Sequence, residues 1–204
     1  MINHRLTSSI IDAAKLISIP LVMALMVTLP SPTWALDLET VFENTAVVAP
    51  ARVAFREERH NPLLKEPIVL TGQLEYLSPG KLRKVIETPY EEAFLISGNH
   101  IEITRDGETR RLSIGKSKPI RAMLSGIEAI LAGQVETLDS LFDYELSGTA
   151  CDWSIQLKPK SRRVSKHLTA MLVKGGQNAL TSMRIDLKEG EWSLMEILNN
   201  EPQQ

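Results

Sequence analysis

The side chains of this chain that could do chemistry are scattered. His60, His100 and His167 stand far apart, with no His-x-x-x-His or Cys-x-x-Cys partner, so the spacing that a zinc site uses is missing. Glu57-Glu58 and Glu91-Glu92 are adjacent carboxylates. Neighbours in a strand point to opposite faces, so neither pair can share a proton as a catalytic dyad. Both pairs read as solvated strand edges or loops. Gly115-Lys116-Ser117 has the tail of a phosphate-binding loop, but Arg110 stands where the first glycine of that motif is needed. No nucleophile elbow is present. Cys151 is the only cysteine, so no intrachain disulfide can form. It reads as a small residue in a sheet, the alternatives being a reactive thiol or a cross-link between two chains. These patterns point away from an enzyme, and no motif calls for a cofactor or a metal.

Two other groups of residues suit binding. Lys158, Lys160, Arg162, Arg163 and Lys166 crowd between two strand-like runs. They read as a solvated loop; the functional alternative is a patch for anionic lipid head groups or for an acidic partner, weakened by salt. The second group is apolar: Ile120, Met123, Leu124, Ile127 and Leu131 recur at spacings of three and four after Pro119, before Gly133. That spacing predicts an amphipathic helix with proline at its first position and glycine just past its end. Composition alone favours packing this face permanently into a core; the functional alternative is a lid over a sheet.

The elements that position these residues begin with Leu70 to Arg105. Four short runs follow one another there, separated by Ser78-Pro79-Gly80, Thr88-Pro89-Tyr90 and Ser97-Gly98-Asn99. Apolar residues largely alternate with polar ones, as in a sheet with one dry face. Leu70, Gly72, Leu74 and Tyr76 share a face; so do Leu82, Lys84 and Ile86, then Phe94 and Ile96, then Ile101 and Ile103. A short helix over Asp37 to Thr45 and a first strand over Val53 to Arg59 precede them. Asp106-Gly107 predicts a hairpin into Thr109 to Ile114. After the helix, a further helical turn runs from Val135 to Phe142. Strands then resume over Tyr144–Ser147, Trp153–Lys158, Leu168–Lys174, Leu180–Asp186 and Trp192–Leu198, with Gly148-Thr149, Gly175-Gly176 and Glu189-Gly190 read as turns. The expected fold is mainly β with α, an open half-barrel of about ten or eleven antiparallel strands whose concave face is covered by helices.

Residues 1–35 read as a signal peptide. Arg5 and Lys15 precede the apolar stretch Leu16 to Leu29, Pro30-Ser31-Pro32 breaks it, and Thr33-Trp34-Ala35 offers a small-x-small cleavage site after Ala35. The stretch is shorter than the ~20 residues of a membrane span. Residues 36–204 are then a single domain, large enough for a substantial core. Removing Arg5, Lys15 and Asp12 takes Lys+Arg from 23 to 21 and Asp+Glu from 25 to 24, a net charge of −3. A nucleic-acid-binding protein would be visibly basic.

The order of these pieces resembles the LolA/LolB family of periplasmic lipoprotein carriers. The resemblance rests on Phe55-Arg56-Glu57 leading the first strand, Gly72-x-Leu74-x-Tyr76 before Pro79, Pro89 ten residues on, Leu95-Ile96-Ser97-Gly98, the helix after Pro119, Tyr144-x-Leu146, and Trp153-x-Ile155-x-Leu157-x-Pro159. With no cysteine after the cleavage site, it is similar to the soluble carrier rather than to its lipid-anchored acceptor. The resemblance implies a periplasmic monomer that takes lipid or lipoprotein acyl chains from an inner-membrane transporter and gives them to an outer-membrane acceptor, without a cofactor. It also implies a lipid-binding wall of Phe55, Leu74, Tyr76, Leu82, Ile86, Phe94 and Ile96, faced by Ile120, Met123, Leu124 and Ile127 on the helix. Carriers have an arginine immediately before the first proline of the pair, where it helps hold the lid closed; here that residue is Ser78. A C-terminal extension of the carriers is also missing after Leu198. A relative handling another lipid or hydrophobic product fits these departures, and an adaptor or sensor that binds a protein partner on the same scaffold is the alternative from another class.

Overall fold

The computed structural model describes residues 36–115, 117–176 and 178–198; the signal-peptide reading falls outside them. The order of elements is α1 (Leu38–Thr45), β1 (Ala51–His60), β2 (Ile68–Ser78), β3 (Lys81–Thr88), β4 (Glu92–Ser97), β5 (His100–Arg105), β6 (Glu108–Ser113), α2 (Lys118–Leu131), α3 (Val135–Leu141), β7 (Phe142–Thr149), β8 (Asp152–Pro159), β9 (Leu168–Gly176), β10 (Ala179–Leu187) and β11 (Trp192–Leu198). All strands join one 11-stranded sheet in the order β6-β5-β4-β3-β2-β1-β11-β10-β9-β8-β7. Each paired neighbour is antiparallel. The sheet does not close, since β6 and β7 are its two edges. This is the open half-barrel expected from the alternation, with its largest turn of connectivity where β1 pairs with β11.

Local chemistry accounts for the helices. The Asp37 carboxylate accepts from the backbone N–H of Thr40 at 2.7 Å and so caps α1. That bond holds the Asp37 pKa below the ordinary aspartate range. Helix α2 begins one residue earlier than the proline predicted, so Pro119 sits at its second position, which also lacks an intrahelical partner for its N–H. Gly133, at φ +68°, terminates it as expected. At the β6 edge all six residues are exposed, and Glu108, Arg110 and Arg111 discourage pairing with another chain. The Asp106-Gly107 turn into it has positive φ at both residues, 52° and 79°, matching the twist of the strands it joins.

Two glycine turns expected from the sequence lie inside strands instead. Gly148 on β7 and Gly175 on β9 flank Trp153 of β8 in register. A Cβ on Gly175 would sit 2.3 Å from Trp153 Cζ2. Gly175 therefore makes room for a buried indole, whereas a Cβ on Gly148, at φ +103°, would meet the backbone of Asp152 and Trp153; the chain reverses beyond both. Cys151 lies in the exposed turn between β7 and β8 rather than within a strand. Gly175→Ala is expected to lower stability by roughly 1–3 kcal/mol through overpacking, read as a lower urea midpoint at unchanged slope.

The core is in two parts. The larger one packs Leu38, Val41 and Phe42 of α1, Ala129 and Ile130 of α2, and Leu138 of α3 against Phe142, Trp153, Ile155, Leu157, Met171 and Val173 of β7–β9. The smaller one is Phe55, Leu70 and Ile86, flanked by Leu74, Tyr90, Phe94 and Met195. Between them the concave face is not filled.

Candidate hydrophobic ligand cleft

The unfilled region is a cleft of about 1780 Å³ between α2 and the strands β1–β3, β10 and β11. This is larger than the roughly 300–1,000 Å³ of ordinary small-molecule pockets. Helix α2 can border it because it is apolar on two sides. Gly126, Ala129 and Ile130 are buried in the core, and a Cβ on Gly126 would lie 2.7 Å from the Phe142 ring, so the helix rests directly on β7. The Val47 N–H donates to the Leu131 carbonyl at 2.8 Å and ties down its end. Ile120, Met123, Leu124, Ile127 and Leu131, one helical face at i, i+3, i+4, i+7, are left on the cleft. Helix packing and a cleft wall are thus both real for α2, on different sides.

Of the wall residues expected from the sequence, Leu74, Tyr76, Leu82 and Ile96 line the cleft on the sheet side, and Ile120, Met123, Leu124 and Ile127 line it on the helix side. Phe55, Ile86 and Phe94 do not. They point to the same concave face, but Phe55 and Ile86 are fully buried in the smaller core, with Phe94 packed against it. The reason is register: Phe55 and Ile86 lie in line on either side of Gly72, so the two side chains close over the glycine and pack on each other. The sequence reading missed the opposite wall, where Met183, Ile185, Met195 and Ile197 alternate along β10 and β11. Their period-2 pattern was legible, but the pairing of β1 with β11, 140 residues apart, was not.

A second correction concerns Glu57. It is not a solvated edge; it is 3 % exposed. Its carboxylate pairs with the Lys84 ammonium and with Arg59, whose Nε donates at 3.1 Å. The three side chains converge because Glu57 and Arg59 share the concave phase of β1 with Phe55, while Lys84 shares that of β3 with Leu82 and Ile86. Gly72, on the strand between, carries no side chain to separate them. The Lys84 ammonium also sits over the Phe55 ring, 4.6 Å from its centroid. Burial holds the Lys84 pKa below the ordinary lysine value, with Glu57 opposing that shift. The signal for this cluster was Lys84 itself, a cation in the apolar phase of its strand.

The basic loop between β8 and β9 divides by role. Val164, 5 % exposed, anchors it in the core. Lys160 faces Asp139 and Asp143 at 3.2 and 3.9 Å, Lys158 and Arg162 are exposed, and Arg163 and Lys166 border the cleft. Among the described residues no group of three or more His, Cys, Asp or Glu could hold a metal ion.

The family model described as outer membrane lipoprotein carrier protein LolA-like matches residues 30–195. The chain belongs to the LolA-like family. No curated protein matches the sequence. Solved structures with which it aligns include a LolA superfamily protein from Nitrosomonas europaea, at 11 % identity and TM-score 0.40 over 82 % of this chain and 96 % of that one. The lipoprotein LppX of Mycobacterium tuberculosis aligns at 15 % and 0.45 over 82 % and 97 %. An outer membrane lipoprotein-sorting protein domain of Vibrio parahaemolyticus aligns at 12 % and 0.44 over 79 % and 88 %. Within the family frame, Ser78 ends β2 beside Pro79 and makes no side-chain hydrogen bond among those found for the described residues.

Proposed function

We propose that this LolA-like chain is a periplasmic carrier that binds a lipid, lipoprotein acyl chains or another hydrophobic molecule in the cleft and ferries it between the inner and outer membranes. Its donor would be an inner-membrane transporter and its acceptor an outer-membrane component. One observation carries the proposal: side chains of Leu, Ile and Met from α2 and from four or more strands are left facing about 1780 Å³ of unfilled space instead of each other. A domain selected only for stability would bury these side chains against one another, a gain of roughly 1.5–3 kcal/mol for each one fully withdrawn from water. An adaptor for a protein partner would be expected to fill the space. Withdrawing acyl chains from water supplies the driving force, about 0.8 kcal/mol for each buried methylene.

The proposal predicts that the mature protein takes up a fluorescent fatty-acyl probe, with emission rising on transfer to a dry site and micromolar or tighter affinity. Equal emission with and without the protein contradicts it. The site residues act by packing alone, so the carrier reading assigns no catalytic group.

A further inference from the structure

The two ends of the cleft differ in chemistry. Strands β1, β8 and β10 end, and β2, β9 and β11 begin, at one rim of the sheet. Near that rim the cleft is bordered by four cations, Arg59, Arg163, Lys166 and Lys84, whose ammonium reaches Glu57 from the middle of β3, against two carboxylates, Glu57 and Glu191. The Glu191 carboxylate is already occupied by the Asn61 side-chain amide at 2.7 Å. Glu57 is occupied by Lys84 and Arg59 together. The excess is positive in a chain whose net charge is −2, so it is not a reflection of composition. The remaining charged residues on the cleft do not offset it: Glu75 and Arg83 lie in the opposite phase of β2 and β3 and pair with each other at 3.4 Å, and Lys118 is a further cation. Elsewhere the walls are mainly leucine, isoleucine, methionine and valine, with uncharged polar residues such as Thr45, Ser117, Asn178 and Ser193 among them.

Two cations share one carboxylate inside this rim. The Lys84 ammonium has three donors and the Arg59 guanidinium five, of which Glu57 takes one and two. Donors are therefore left over for an acceptor other than Glu57, on an Arg59 side chain 39 % exposed and a Lys84 side chain 15 % exposed. An anionic oxygen supplies the missing acceptor, and charge-assisted bonds of this kind are the strong ones.

We propose that the molecule carried in this cleft is an amphiphile with an anionic head group, carboxylate or phosphate, received by Lys84 and Arg59 while its chain lies along α2. Glu57 orients the two cations, and Arg163 and Lys166 attract the head group to the rim. This rests on the carrier reading above, and its test separates the two. Probes of one chain length are titrated into the mature protein: oleate, oleyl phosphate, oleyl alcohol and oleylamine, with inorganic phosphate and acetate as chain-free competitors. At least one of the two anionic probes binds tenfold or more tighter than oleyl alcohol, oleylamine binds weakest, and the chain-free anions do not compete at millimolar concentration. Which of the two anions binds tighter identifies the head group. In Arg59→Gln and in Lys84→Met the preference for anion over alcohol falls to threefold or less. Arg59, 39 % exposed and on the rim, keeps the test valid if the Lys84 variant does not fold. Equal affinity for anionic and neutral probes, or a preference intact in the folded variants, overturns this proposal while the carrier reading stands. Failure of every chain-bearing probe to bind overturns the carrier reading itself.

Discussion

Leu124→Glu is expected to reduce affinity for an acyl probe about a hundredfold while leaving the protein folded. Leu124 borders the cleft at the middle of α2 and is not among the residues that pack the larger core. In the empty protein the cleft is open to water, so a carboxylate there stays hydrated and the fold tolerates it. A bound acyl chain would strip that water away. Desolvating a polar group without a partner costs roughly 2–7 kcal/mol, and a cost near 3 kcal/mol is about two orders of magnitude in Kd. Ala129, one turn on and buried in the core, is the contrast: Ala129→Glu should unfold the protein rather than merely block the cleft. Probe titration together with circular dichroism distinguishes the two results. Unchanged affinity in a folded Leu124→Glu variant would mean that chains do not pass this part of α2.

Removing one member of the internal ion pair should have the largest effect on stability. Glu57→Leu leaves the Lys84 ammonium buried with only Arg59, a like charge, beside it. Breaking a buried pair from one side typically costs about 3–5 kcal/mol. Replacing both, Glu57→Leu with Lys84→Met, removes the stranded charge and should restore most of that loss, since well-packed apolar side chains often match a buried pair. The single variant carries its own pH signature. Burial already holds the native Lys84 pKa below 10.5, and loss of Glu57 lowers it further. Between the native and unfolded values the unfolded chain binds more protons, so stability rises with pH across that window. Urea midpoints measured from pH 7 to 10 should climb in Glu57→Leu more steeply than in the double variant. If the single variant is as stable as the parent at pH 7, the pair is not bearing charge in the folded state.

Much of the fold was written in local patterns. The alternation of Leu70, Gly72, Leu74 and Tyr76, the turns at Pro79 and Pro89, and the Asp106-Gly107 hairpin are consequences of period and turn chemistry, which need only neighbouring residues. The helical face from Ile120 to Leu131 was equally clear, and Leu74, Tyr76, Leu82 and Ile96 do border the cleft opposite it. What sequence period cannot reveal is which part of an apolar face is covered by its own sheet. Phe55, Ile86 and Phe94 share the phase of Leu74 and Leu82, yet Phe55 and Ile86 close over Gly72 with Phe94 packed against them, and so belong to the core. Glycine was ambiguous for a related reason. Gly148 and Gly175 carry the composition of turns, but both lie within strands opposite Trp153, Gly175 against its indole and Gly148 against the backbone of Asp152 and Trp153. Glu57 was misplaced because an acidic pair in isolation suggests solvent, and its partner lies 27 residues away on a strand that is not adjacent.

The departure at Ser78 acquires a physical setting as well. In the expectation from the family, an arginine at this place holds the lid closed. Here the fixed side of α2 is held instead by the contact of Gly126 with Phe142 and by the Val47–Leu131 hydrogen bond. The face toward the cleft is free of such ties at Leu124, which suits a cleft that is already open to its ligand.

The central claim is that the cleft carries a hydrophobic cargo, and the most direct measurement is mass spectrometry of an organic extract from the protein purified from its native cells without detergent. The account predicts a stoichiometric acyl-bearing molecule with an anionic head group, reduced or absent in the extract from Leu124→Glu. An extract with no such molecule, from a protein that also takes up no acyl probe, would contradict it.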